Sequence, residues 1–185
     1  MERGLRKHPA ILVLTGASGA GKTTLIEKLN KLAITGVEGI NCDRVTVDLP
    51  ETADSSDRQA GVLRFWITRL SDENPKIELA VLDTQIRPHV ALEVLEKAGV
   101  AHSQIVLVDC EPTIRNERLV SDRKQPKLAN PQMDCWAAYL RGQADALGLS
   151  IIHTGNASSD ESFKQLDSIV SDLLERARTS NFSGN

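Results

Sequence analysis

With 185 residues, 41% of them hydrophobic and 25% charged, the chain has the make-up of one globular domain filling residues 1–185, neither disordered nor fibrous. A net charge of −3, few aromatic residues (3%) and no basic stripe exclude the usual footprint of a nucleic-acid binder. The longest purely apolar run, residues 10–14, is too short for a membrane span or the core of a signal segment, so no membrane partner and a cytoplasmic location are expected.

Ala10, Ile11, Leu12, Val13 and Leu14 run without polar alternation, which predicts a central strand buried on both faces of a parallel sheet. After a glycine-rich turn, Leu25, Ile26, Leu29, Leu32 and Ala33 recur at helical spacing, with Gly36 as the stop. Residues 37–48 hold one strand, with apolar pieces around Ile40 and Val45 that leave its register open. Cys42 at this strand and Cys110 further on sit near strand ends and, like Cys135, form no CxxC pair; reduced packing residues are expected, a site-lining role for the first two staying open.

Ser56 and Gln59 read as a capping box for a helix over 57–70, with Val62, Leu63, Trp66 and Leu70 inward. Residues 77–82 form the next apolar strand, ending in Asp83, and Pro88 opens a helix carrying Ala91, Leu92, Leu95 and Ala98 to a stop at Gly99. Residues 104–108 make a further strand ending in Asp109, after which Pro112 opens a helix with Ile114, Leu119 and Val120 inward and Arg115 and Arg118 on its other face. Residues 121–131 turn polar and basic, with Arg123, Lys124 and Lys127, and predict a surface loop able to act as a lid.

Asn130 and Pro131 start a helix whose Met133, Trp136, Ala137, Leu140, Ala144 and Leu147 trace one face up to Gly148, and residues 149–153 are the last strand. Ser158 and Glu161 cap a final helix with Phe163, Leu166, Val170, Leu173 and Ala177 inward, while tails at 1–8 and 179–185 are expected to fray. Strands alternating with helices predict a three-layer α/β/α sandwich around a doubly wound five-stranded parallel sheet, with every strand end at one edge.

Gly16, Ala17, Ser18, Gly19, Ala20, Gly21, Lys22 and Thr23 fit GxxxxGK[ST], the Walker A motif or P-loop, which a chain this long matches by accident roughly once in a hundred. The string sits directly between a buried strand and an amphipathic helix. There, glycines let backbone N–H groups converge on phosphate oxygens, and the helix N-terminus adds a favourable dipole. ATP and Mg²⁺ are the expected cofactors: residues 16–24, Thr24 included, cradle the phosphates, Lys22 reaches the β and γ phosphates, and the Thr23 hydroxyl ligates the metal. Asp83 falls where ligands bind in such sheets, and holds a water on Mg²⁺, orients an acceptor, or merely caps the next turn.

On these residues the chain resembles, over nearly its whole length, the nucleoside monophosphate kinase group of P-loop kinases, which includes adenylate kinase and has shikimate and gluconate kinases as relatives. The P-loop is the specific part; Asp83-Thr84-Gln85-Ile86-Arg87 is similar in spacing to the DGFPR segment of adenylate kinases, and the lid-like stretch follows Arg118. The resemblance implies the P-loop NTPase strand order 2-3-1-4-5. It also implies that Arg87 binds the anionic group of the acceptor, Arg118 lies over the adenine and Arg123 closes on the transferring phosphoryl group. An aspartate after the second strand, Asp43 or Asp48, is implied to contact the acceptor hydroxyl.

From spacing alone, Arg115, Arg118 and Arg141 equally suit solvated helix faces, and Asp43 equally suits a turn. Thr84, Gln85 and Ile86 replace the DGFPR glycine and proline, and the lid is short and without zinc cysteines, which counts against AMP as acceptor. His89 reads as a surface residue at a helix start and His153 as a packing residue.

The expected function is an ATP-dependent phosphotransferase moving the γ-phosphate of Mg-ATP to a small-molecule or nucleotide acceptor, acting as a monomer or homodimer, with the acceptor itself open. The competing reading is an ATP-binding switch or ATPase module that regulates a protein partner with slow hydrolysis. A GTPase fits less well because an NKxD segment is missing, and large motor ATPases fit worse because Thr84, not a glutamate, follows Asp83.

Overall fold

The structure is a computed structural model that describes residues 8–42, 54–73, 76–155 and 157–182. The chain runs β1 (Ala10–Thr15), α1 (Lys22–Lys31), β2 (Val37–Asn41), α2 (Ser55–Glu73), β3 (Leu79–Asp83), α3 (Pro88–Ala98), β4 (Ser103–Asp109) and α4 (Pro112–Glu117). A π turn (Arg118–Asp122) and a 3-10 turn (Pro126–Leu128) then lead to α5 (Pro131–Ala146), β5 (Ser150–His153) and α6 (Ser159–Phe182). All strand pairs are parallel, as the sequence pattern predicts, and the order is β2-β3-β1-β4-β5, as the family resemblance implies.

The unbroken apolar character of β1 has a direct cause. Ala10, Leu12 and Leu14 pack with α1 and α6 on one face, while Ile11 and Val13 pack with α2 and α3 on the other, so no position of the strand meets water. On the β4 side, Leu140 and Ala144 of α5 cover Leu107. The register sets Leu14 opposite Asp83 and Thr15 opposite Leu107, which brings the carboxyl ends of three strands level at one edge.

Several boundaries differ from the sequence pattern, each for a local reason. Helix α1 stops at Lys31 with Ala33 in the left-handed region (φ 49°), which leaves Leu32 exposed; Gly36 serves instead as a turn whose carbonyl accepts the N–H groups of Glu78 and Leu79. Helix α2 is capped by Asp54 and Asp57, each side chain accepting the other's backbone N–H, and not by Ser56 and Gln59. Val45 and the rest of residues 43–53 lie outside the described residues.

Leu92, Val120 and Leu147, expected inward, are exposed, and Val90, Ala91, Val94 and Leu95 supply the buried stripe of α3. At β2, the Asn30 side chain bonds both the N–H and the C=O of Gly39 at 2.8 and 2.9 Å, fixing that strand against α1.

The cap of α6 is as predicted: Ser158 N–H donates to Glu161 and Glu161 N–H to the Ser158 hydroxyl. These bonds hold the Glu161 carboxyl below its ordinary value, so the cap is intact above the usual carboxylate range and fades only as pH falls through that lowered value. The helix continues through Thr179, where fraying was expected, to Phe182, the Thr179 hydroxyl bonding the Glu175 and Arg176 carbonyls. No helix among the described residues is long and apolar enough to cross a membrane.

Leu12 has no exposed surface, so Leu12→Ala is expected to lower stability by about 3 kcal/mol, read as an earlier midpoint in urea with an unchanged slope.

Candidate functional site

The loop between β1 and α1 is shaped by close approach of backbone to backbone. A side chain at Gly16 would place its Cβ 2.3 Å from the Val108 carbonyl oxygen, and Gly19, at φ 83°, would place one 2.9 Å from Arg115 Cγ. Helix α1 begins after Gly21 with no side-chain cap and no acidic residue in its first turn, so its positive dipole end is not neutralised by a carboxylate of its own first turn and suits an anion. Ala17, Ser18 and Ala20 are buried in the loop; Ser18 reaches Gln85 at 3.4 Å, and Ala20 offers its carbonyl to Thr154.

Lys22 is buried and its ammonium bonds the Gly16 and Ala17 carbonyls at 2.8 and 3.2 Å, standing 3.8 Å from Asp83 Oδ1. The Thr23 hydroxyl donates to Asp83 Oδ2 at 2.8 Å. An ammonium, a hydroxyl and a carboxylate thus converge from the P-loop and the end of β3, which is the donor set that phosphate oxygens and a hard divalent cation require.

Above this cluster opens a cleft of about 660 Å³, lined by Gly19, Gly21, Thr24, Arg118, Arg123 and Thr154 among others. Arg118 Nη1 donates to the Thr154 hydroxyl at 3.0 Å and Nη2 to its carbonyl at 2.6 Å, which fixes the guanidinium beside the mouth of α1. Arg123, exposed on the lid stretch, reaches the Thr23 hydroxyl at 3.3 Å.

Arg87 lies elsewhere, at the start of α3. Its guanidinium donates to Gln59 at 3.1 Å and Ser55 at 3.0 Å, both on α2, and stands 5.1 Å over the Trp136 ring of α5. Asp43 and Asp48 lie outside the described residues. The structure therefore brings Lys22, Thr23, Asp83 and Arg123 together, adds Arg118 at the cleft wall, and sets Arg87 on a separate aromatic shelf.

Arg115 is not a solvated helix face, whereas the Arg141 side chain stays 43% exposed. Arg115 is 1% exposed and paired with Asp134, and Arg141 is paired with the buried Asp109 at the end of β4. Cys110 lies beneath the loop, 3.9 Å from the Gly19 carbonyl; burial is the main cause that raises its pKa, so it stays a thiol at neutral pH. His89 bonds Gln143 on the surface, whereas His153 is exposed and not packed.

Sequence reasoning missed Thr154, Gln59 and the shelf role of Trp136. For Thr154 the signal was there: a hydroxyl residue one step past a strand end at the ligand edge, which donates to Ala20 O at 2.6 Å and accepts from Arg118. Trp136 packs half-buried against the core of Leu107, Leu140 and Ala144, as its helical spacing predicts, and also stacks on Tyr139 at 5.5 Å.

Residues 5–112, more than half of the chain, match the family model described as AAA domain. No curated protein sequence matches the chain. Among solved structures it is similar to shikimate kinase from Acinetobacter baumannii in complex with shikimate, with 19% identity, TM-score 0.57 and cover of 90% of this chain and 96% of that one. It is also similar to a gluconokinase from Sinorhizobium meliloti 1021, with 16% identity, TM-score 0.58 and cover of 97% and 100%. The APS kinase of Mycobacterium tuberculosis in complex with AMPPNP and APS aligns with 19% identity, TM-score 0.51 and cover of 91% and 98%. At these identities the likeness is one of fold, that of P-loop kinases related to the nucleoside monophosphate kinases.

Because an added methyl at Gly19 meets Arg115 and strains a left-handed backbone, Gly19→Ala is expected to weaken Mg-ATP binding about tenfold in calorimetry, with the circular dichroism spectrum unchanged.

Proposed function

Because the chain belongs to the AAA domain family and folds as small-molecule kinases do, we propose that it is a cytoplasmic phosphotransferase moving the γ-phosphoryl group of Mg-ATP to a hydroxyl of a small-molecule or nucleotide acceptor. The observation that carries this reading is the Lys22, Thr23 and Asp83 cluster at the foot of a cleft walled by Arg118 and Arg123.

The Thr23 and Asp83 oxygens are hard donors suited to Mg²⁺, which when bound neutralises charge on the β and γ phosphates. Lys22 exchanges the loop carbonyls it now touches for phosphate oxygens, and Arg123 closes on the phosphoryl group from the lid side. The acceptor oxygen bonds to the γ phosphorus as the bond to the β–γ bridging oxygen breaks and ADP leaves. The acceptor proton passes to the carboxylate of Asp43 or Asp48. Arg118, anchored by Thr154, borders the adenine, and Arg87, anchored by α2, takes the acceptor's anionic group.

Transfer is favoured over hydrolysis at the residue after Asp83. Thr84 stands there, its N–H bonded to the Leu14 carbonyl at 3.0 Å, and offers no carboxylate to activate a water. The match to the AAA domain family supports a second reading, a nucleotide-driven switch acting on a protein partner.

Labelled γ-phosphate separates the two. Appearance of label on one compound of an acceptor panel, abolished by Lys22→Met in a folded variant, is the outcome expected; label found only as free phosphate supports the switch. Arg118→Ala is expected to raise the KM for ATP about tenfold and Arg87→Ala the KM for the acceptor by a similar factor, each leaving the other KM in place.

A further inference from the structure

The mechanism makes no use of the most deeply buried cation of the described chain. Arg115 is 1% exposed, its Nε has no hydrogen-bond partner, and its Nη2 meets the carboxylate of Asp134, so Asp134 is the anion that fixes it. Its Cγ and its carbonyl oxygen stand 2.9 and 3.0 Å from the place a Gly19 Cβ would occupy, in contact with the P-loop backbone. Asp134 lies in the first turn of α5, directly after the lid stretch.

The contacts continue on the lid side. Asn130, the N-cap of α5, accepts the Met133 N–H at 2.8 Å and donates to the Lys127 carbonyl at 2.7 Å, and Lys127 belongs to the 3-10 turn of the lid. A line of direct contacts therefore runs from the lid through Asn130, the first turn of α5, Asp134 and Arg115 to Gly19.

We propose that the Arg115 and Asp134 pair is a positioning device that couples occupancy of the P-loop to closure of the lid. Phosphates drawn against the loop amides fix the Gly19 backbone, Gly19 fixes Arg115, and Arg115 holds the root of the lid through Asp134. The inference rests on nucleotide binding at the P-loop and not on the reaction that follows. Linkage makes the coupling reciprocal: whatever factor ATP contributes to lid closure, closure contributes to ATP affinity.

Trypsin reads the lid directly, because Arg123, Lys124 and Lys127 are exposed cleavage points within it. Saturating Mg-ATP is expected to slow cleavage there about tenfold in the native chain. In Asp134→Asn, which keeps the shape and one acceptor oxygen, protection at saturation is expected to be lost while the Kd for Mg-ATP rises by about the same factor. Asn130→Ala cuts the same line away from the buried pair and is expected to do likewise, so the inference stands even where the first variant folds poorly.

Lower ATP affinity with full protection at saturation would show that the pair only props up the loop, and would overturn the coupling. A fall in Tm with protection and affinity unchanged, or a native lid that ATP binding leaves equally open to trypsin, overturns it as well. A native chain that binds no Mg-ATP in calorimetry removes the P-loop reading itself, an outcome distinct from these.

Discussion

Asp83 ends a strand buried along its whole length, and a carboxylate in that place is tolerable only for what faces it. The parallel register decides what that is. With Leu14 opposite Asp83, the loop leaving β1 and the carboxylate ending β3 set out from the same height, and the first residues of α1 turn back onto it. Thr23 donates from one side and the Lys22 ammonium stands on the other, so the charge is compensated before any ligand arrives. The rest of the site is hung on this contact: the glycines that let the loop pass Val108 and Arg115, the uncapped start of α1, and the arginines that reach across from the segment after α4.

The layered fold was legible because its signals are redundant. β1 has no polar position to spare, prolines open α3, α4 and α5, and the P-loop sits where only a strand and a helix could flank it. What the sequence could not carry were choices among equivalent partners. Ser56 and Gln59 have the spacing of a cap, yet Asp54 and Asp57 take that role and Gln59 is drawn away by the backbone and guanidinium of Arg87. Helical spacing puts Trp136 on the inner face of α5, where it packs, but carries no sign that Arg87 stands over its ring. The Arg115 pair is a contact between residues far apart in the chain, and no periodicity announces it.

Arginines show how context divides one residue type among several tasks. Arg118 is tied by two bonds to Thr154 at a cleft wall, Arg123 is exposed and within reach of Thr23, Arg87 rests on an indole, and Arg115 is sealed behind the loop. A planar fork with five donors serves all four positions, because each asks for directed bonds as well as charge. Their distribution also bears on the choice between kinase and switch. Arg118 and Arg123 stand beside the P-loop and Arg87 stands apart against α2, the separation on which the proposal of two substrate positions rests.

The bonds between Asn30 and Gly39 reach beyond the placement of β2. An outermost strand ordinarily presents a row of unused amide and carbonyl groups on which another chain can build. Here a side-chain amide reproduces the pairing a neighbouring strand would make, and a Cβ at Gly39 would stand 2.9 Å from that same side chain. The sheet is thereby sealed at its margin by its own helix. A further strand could pair at that edge only by displacing the Asn30 side chain from Gly39.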